Sequence, residues 1–149
     1  MMTVNKDKSS DEAAIRELLD GFVRAFGGKD VNGVMSPFAK EIVSFDILPA
    51  LQTVGAETFV THWQQFFESH DGPIEVEFPE IRIVTGDEVA FSYCLHRIKR
   101  TLKNGQETDW WLRWTACYRK TNGKWLIVHE QVSVPADLRS GKALMDLKP

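Results

Sequence analysis

No stretch of this 149-residue sequence approaches the roughly 20 consecutive apolar residues that a bilayer-spanning helix requires. Its opening, MMTVNKDKSSDEAA, lacks the apolar core of a secretory signal. These two absences predict a soluble, cytoplasmic protein with no membrane partner. Basic clusters are missing as well: 18 Lys and Arg stand scattered against 21 Asp and Glu, for a net charge of -3, so no footprint for a nucleic-acid backbone is present. Cysteine is scarce. Cys94 and Cys117 lie in strand-like segments without C-x-x-C spacing, which predicts buried free thiols in a reducing compartment. His62 and His70 sit eight apart, but no H-x-x-x-H or Cys/His cluster occurs, so no metal site is expected. Gly27-Gly28 has neither the lysine nor the spacing of a phosphate loop, and no serine lies in a G-x-S-x-G elbow.

The chain has apolar material in abundance. With 43% hydrophobic residues at this length, one domain with a substantial core is expected. Residues 1–9 read as a flexible lead-in, 10–135 as the folded domain and 136–149 as a polar tail. Ser9 and Glu12 have capping-box spacing, and Ile15, Leu18, Leu19, Phe22 and Phe26 then form one helical stripe that Gly27-Gly28 ends. Asp30 is a candidate N-cap for a short helix over 31–35, followed by a strand over 42–46. Phe59, Trp63, Phe66 and Phe67 mark a third helix over 56–70, closed by Asp71-Gly72-Pro73. Beyond it the period changes. Runs at 74–85, 88–102, 108–120 and 124–134 are rich in β-branched and aromatic residues, with turn signals at Gly86-Asp87, Asn104-Gly105 and Asn122-Gly123. Helices first and long antiparallel strands after them define an α+β fold.

This element order, with FAKEIVSFD before the third helix and TNGKWLIVHEQVSVP at the end, resembles the NTF2-like superfamily, in its SnoaL-like and ketosteroid-isomerase-like branches. The resemblance implies a cone of three N-terminal helices on a strongly curved, mainly antiparallel sheet. It also implies a deep apolar pocket and a homodimer formed through the outer sheet face. Fold alone names no reaction.

Asp46 carries the sharpest chemical signal, because FDILPAL places a single acid among apolar residues and proline. Its position matches the proton-abstracting aspartate of ketosteroid isomerases, eight residues after Phe38-Ala39. A carboxylate at a pocket wall gains basicity by desolvation. The alternative is an Asp that binds backbone amides in the loop before Pro49. The isomerase pattern then breaks: Phe22 stands where those enzymes have a tyrosine donor, and Thr115 near where they have a protonated aspartic acid. Loss of one oxyanion donor costs about 2.7–4 kcal/mol of barrier, which disfavours steroid isomerisation by the known mechanism.

The last two strands supply further candidates, whose direction depends on the turn at Asn122-Gly123. A two-residue turn sets Trp114 and Ala116 beside Gln131 and His129, whereas a three-residue loop with a bulge sets Arg113 and Thr115 there. By the family comparison the second register is expected, pointing Arg113, Thr115, His129, Gln131 and Ser133 inward. His129 and His96 are then candidate proton relays beside Asp46, and Arg113 either holds a ligand oxygen or forms a structural ion pair. Trp63, Trp111 and Phe22 are expected to wall the cavity. The expected partner is a hydrophobic small molecule bearing a carbonyl or carboxylate. Its chemistry, of isomerase, lyase or cyclase type, needs no cofactor. The competing expectation is a non-catalytic ligand-binding or dimeric assembly module.

Overall fold

In a computed structural model, residues 3–149 are described, with side chains from Lys8 onward. The fold is α+β, with three helices and a mixed seven-stranded sheet. Helix α1 spans Thr3–Gly27, beginning earlier than the capping-box spacing predicts. Ser9 therefore lies inside the helix, and Glu12 pairs instead with Arg16 at 2.9 Å, one turn on. The stripe behaves as its spacing requires: Ile15, Leu19, Phe22 and Phe26 are all buried.

Helix α2, Val31–Met35, is capped by Asp30, whose Oδ1 accepts the Gly33 amide at 3.0 Å. Strand β1, Phe38–Phe45, starts four residues before the predicted strand and stops short of Asp46. A two-residue strand, β2 at Thr53–Val54, leads to α3 at Ala56–Glu68. The expected run at 74–85 is two strands, β3 at His70–Glu77 and β4 at Arg82–Thr85, both paired with β5 at Val89–Leu102. Between them Pro79 has no amide to give a ladder and Glu80 adopts φ 53, so pairing cannot continue.

Strands β6, Glu107–Thr121, and β7, Lys124–Ser133, complete the sheet in the order β2-β1-β7-β6-β5-β3. The β1–β7 pair is parallel and the others are antiparallel. The region expected as a polar tail contains a small hairpin, β8 at Ala136–Asp137 with β9 at Lys142–Ala143. Among the described residues no helix is long and apolar enough to cross a membrane.

The β6–β7 connection decides what the sheet shows to the core. Asn122 (φ 51) and Gly123 (φ 76) form a two-residue turn that closes on the pair Thr121–Lys124. Farther along, Tyr118 faces Ile127 but Cys117 faces His129, so Val128 is an extra residue on β7. Strict alternation fails there. Trp125 and Ile127 point into the core before the bulge, and Glu130 takes the inward position after it. The bulge expected beside the turn thus lies inside the strand. The pairs Arg113–Ser133 and Thr115–Gln131 do form, but they sit on the face opposite the helices.

Gly33 allows α2 to pack closely on α1, since a Cβ there would lie 2.5 Å from Ala25 Cβ and 2.6 Å from Asp30 Oδ2. Helix propensity alone favours alanine at this position. Gly33→Ala is nevertheless expected to lower stability in denaturant unfolding by about 1–3 kcal/mol through overpacking and a displaced cap. An unchanged or raised midpoint would show that the contact is soft.

Candidate active site

Helices α1 and α3 and the inner face of the sheet enclose a cavity of about 90 Å³. A single water needs roughly 10–15 Å³ by this measure, so the hollow has room for a small ligand group. Its wall is aromatic: Phe22, Phe26, Trp63, Phe66, Phe78, Trp110 and Trp114. Phe22 stacks on Trp114 at 5.4 Å, and Phe26 meets Trp63 edge-on at 5.0 Å. Against this wall stand five polar side chains: Asp46, His62, His96, Arg100 and Glu130.

Asp46 follows the last residue of β1, where the chain leaves the sheet. Its Oδ1 accepts the Ile47 amide at 2.6 Å and, more weakly, the Leu48 amide at 3.5 Å. Oδ2 has no partner among the described residues. The expected binding of backbone amides is thus made by Oδ1, and the same residue lines the cavity. Desolvation raises its pKa above the ordinary value, and the two amides and nearby His62 offset part of the rise.

Glu130 is the residue that alternation missed. It is 4% exposed, and Ser44 Oγ and Trp114 Nε1 each donate to it at 2.9 Å. Burial pushes its pKa up to about 7, with a further contribution from the charge of Asp46. Its sequence signal was the same as that of Asp46, an acid on an otherwise apolar strand face between Val128 and Val132. His96 is also buried, which pushes its pKa down to about 4 and keeps the ring neutral near pH 7. Two buried nitrogens at the cavity, His96 Nδ1 and Trp63 Nε1, lack a partner among the described residues.

Of the residues expected at the site, Asp46, His96, Trp63 and Phe22 meet at this cavity. Trp111, Arg113 and Thr115 do not, because Leu112, Trp114 and Ala116 are the inward residues of β6; His129, Gln131 and Ser133 do not, because the bulge at Val128 turns Glu130 inward in their place. Arg113 donates from Nε to Ser133 Oγ at 3.1 Å, and His129 Nδ1 binds the Val43 carbonyl at 2.7 Å, tying β7 to β1. Trp110, not Trp111, lines the hollow. Arg113, Thr115 and Trp111 instead border a larger depression of about 610 Å³ on the outer sheet face, away from both inward carboxyls. Among the described residues no three His, Cys, Asp or Glu side chains converge to hold a metal ion.

Residues 15–137 match the model of the SnoaL-like domain family. The chain belongs to this family. The SnoaL-like protein is also similar to an NTF2-like protein of unknown function from Pseudomonas putida KT2440. Identity there is 30%, over 95% of this chain and 98% of that one, with a TM-score of 0.86. Two further structures share the fold. One is an NTF2-like superfamily protein from Salmonella enterica serovar Typhimurium LT2 (17% identity, 91% and 99% of the chains, TM-score 0.77). The other is a ketosteroid isomerase-like protein from Erwinia carotovora atroseptica SCRI1043 (20%, 81% and 93%, TM-score 0.70). No curated protein sequence matches the SnoaL-like chain.

The raised pKa of Glu130 has a stability consequence of definite sign. Its folded value of about 7 exceeds the ordinary 4.5, so its favourable contribution is complete below pH 4.5 and is lost as pH rises through 7. Glu130→Gln, which cannot ionise, is expected to gain stability relative to wild type between pH 5 and pH 8. The gain is on the order of 3 kcal/mol, each pKa unit being worth 1.36 kcal/mol. Denaturant unfolding at both pH values measures this, and an equal difference at the two would contradict the buried, protonated carboxyl.

Proposed function

We propose that this SnoaL-like protein catalyses cofactor-independent proton transfer, of isomerase, lyase or cyclase type, on a hydrophobic small molecule bearing a carbonyl or carboxylate. One observation carries the reading: two carboxyls with raised pKa values, Asp46 and Glu130, share one aromatic-lined cavity. Their environments separate their roles. Asp46, held by backbone amides and only half-buried, ionises first and serves as base. Glu130, wholly buried, keeps its proton near neutrality and serves as acid.

In the proposed step Asp46 Oδ2 takes a proton from a carbon beside the substrate carbonyl, and the electron pair of that C–H bond moves toward the oxygen. The unpartnered Trp63 Nε1–H and neutral His96 are suited to receive the developing charge. Return of the proton to another carbon gives an isomer, and departure of a leaving group protonated by Glu130 gives an elimination. Phe22 has no donor, so steroid isomerisation by the known mechanism is disfavoured. We further take the sheet to curve into a cone around the cavity, and the free thiols of Cys94 and Cys117 to fit a cytoplasmic setting.

Deuterium uptake from D₂O into a panel of aryl ketones, enones and aryl keto acids, followed by mass spectrometry, tests the step without knowledge of the full reaction. Wild type is expected to accelerate exchange, and Asp46→Asn to reduce it by about 10²–10⁴-fold. Exchange unaffected by that substitution, or absent throughout the panel, would overturn the catalytic reading.

A second reading, a dimeric assembly module, is favoured by the outer sheet face, where Phe91, Tyr93 and Leu95 are each more than 40% exposed in one row on β5. Such a contiguous apolar row suits a subunit contact. It is compatible with a catalytic pocket on the opposite face. Sedimentation equilibrium is expected to give a dimer that Tyr93→Asp combined with Leu95→Asp converts to monomer. A monomeric wild type would exclude it.

A further inference from the structure

Strand β5 carries three cations close together, and their fates differ. Arg97 grips Asp109 through two bonds of 2.7 Å, and Lys99 lies 3.6 Å from Glu75. Both belong to the outer face by alternation. Arg100 points the other way and lines the inner cavity. Its guanidinium carbon lies 4.4 Å from the Trp110 ring centroid and 4.8 Å from that of Phe66, while Nε donates to Thr108 Oγ1 at 3.2 Å. No carboxylate lies within ion-pair distance among the described residues, and its two terminal nitrogens have no protein partner there.

This is an uncommon condition for a half-buried charge, because a cation removed from water normally brings its counter-ion with it. The two rings and the threonine fix the guanidinium plane and leave its outer edge unused. That edge is the part of arginine that matches a carboxylate through two parallel hydrogen bonds. The rest of the cavity offers flat aromatic surfaces and two further unpartnered nitrogens.

We propose that Arg100 is the anion anchor of this cavity and that its ligand class is a flat, apolar monocarboxylate, seated with its carboxylate on the free guanidinium edge and its body against the aromatic wall. The proposal rests on the reading of this cavity as the ligand site and narrows its substrate to the acid form. Asp46 then acts on a carbon elsewhere in a molecule whose charge is already held.

Titration calorimetry with benzoate and cinnamate against benzamide and cinnamamide, which have nearly the same shape without the charge, tests the anchor. In wild type the acids are expected to bind at least about tenfold tighter than the amides, as a charge-assisted pair predicts. Arg100→Gln is expected to erase that preference, and Arg100→Lys, which keeps charge without the planar fork, to retain only part of it. Because the Arg100 stem is packed, a readout on wild type accompanies the variants: the ¹⁵Nε resonance of Arg100 should shift on adding benzoate. Equal affinity for acids and amides, no binding of either pair, an unmoved Arg100 resonance, or a preference that survives in Arg100→Gln would each overturn the proposal. Asp46→Asn removes a like charge from the cavity and is expected to strengthen the acid preference while abolishing the exchange that depends on Asp46. Acid preference without Asp46-dependent exchange would therefore sink the catalytic reading alone, and the reverse would sink this anchor alone.

Discussion

The architecture turns on one buried carboxyl. Glu130 sits where β1, β6 and β7 meet, accepting from Ser44 on the first and Trp114 on the second. It reaches that place only because Val128 is an extra residue in β7. Without the extra residue, strict alternation after Trp125 and Ile127 would send His129 and Gln131 inward and leave Glu130 in water. A single bulge thus exchanges a histidine and a glutamine for an acid at the centre of an aromatic wall. Ser44 and Trp114 satisfy both its oxygens, which makes so deep a burial tolerable.

Desolvation then acts on four groups of the cavity in the direction that the charge of each dictates. It raises the acids Asp46 and Glu130 and lowers the bases His96 and Arg100, the last to about 10. The rings of Phe22, Phe26, Trp63 and Trp114 present apolar surface to these groups, which is the physical source of the shifts. Packing and chemistry are therefore one constraint. Phe22, expected where ketosteroid isomerases carry a tyrosine donor, also acquires a physical meaning, since its ring stacks on the tryptophan that holds Glu130.

Much of the fold was legible where local rules act alone. The α1 stripe and the Asp30 cap each follow from spacing or from one residue's conformational preference; Asn122-Gly123 marked the place of a turn, but a three-residue loop was expected there and a two-residue turn forms. Asp46 was legible for a similar reason, as an acid among apolar neighbours has few places to go. The facing of β7 was not, because a bulge in mid-strand leaves no fixed residue signature and reverses every side chain beyond it. Arg113 was expected at the cavity from the family comparison, and Arg100 was overlooked. The former lies beyond reach on the outer face, and the latter was hidden among Arg97, Lys99 and Lys103 in a stretch that reads as solvated charge. Pro79 announced a break between β3 and β4 more plainly than the apolar run around it suggested.

The central claim is that one cavity holds a base and an acid of the same chemical type, separated only by how deeply each is buried. Titration of the side-chain carboxyl carbons by ¹³C NMR reads this directly. Glu130 should change ionisation near pH 7, and Asp46 above its ordinary 3.8 yet below Glu130. Both carboxyls titrating together in the usual carboxylate range would contradict it.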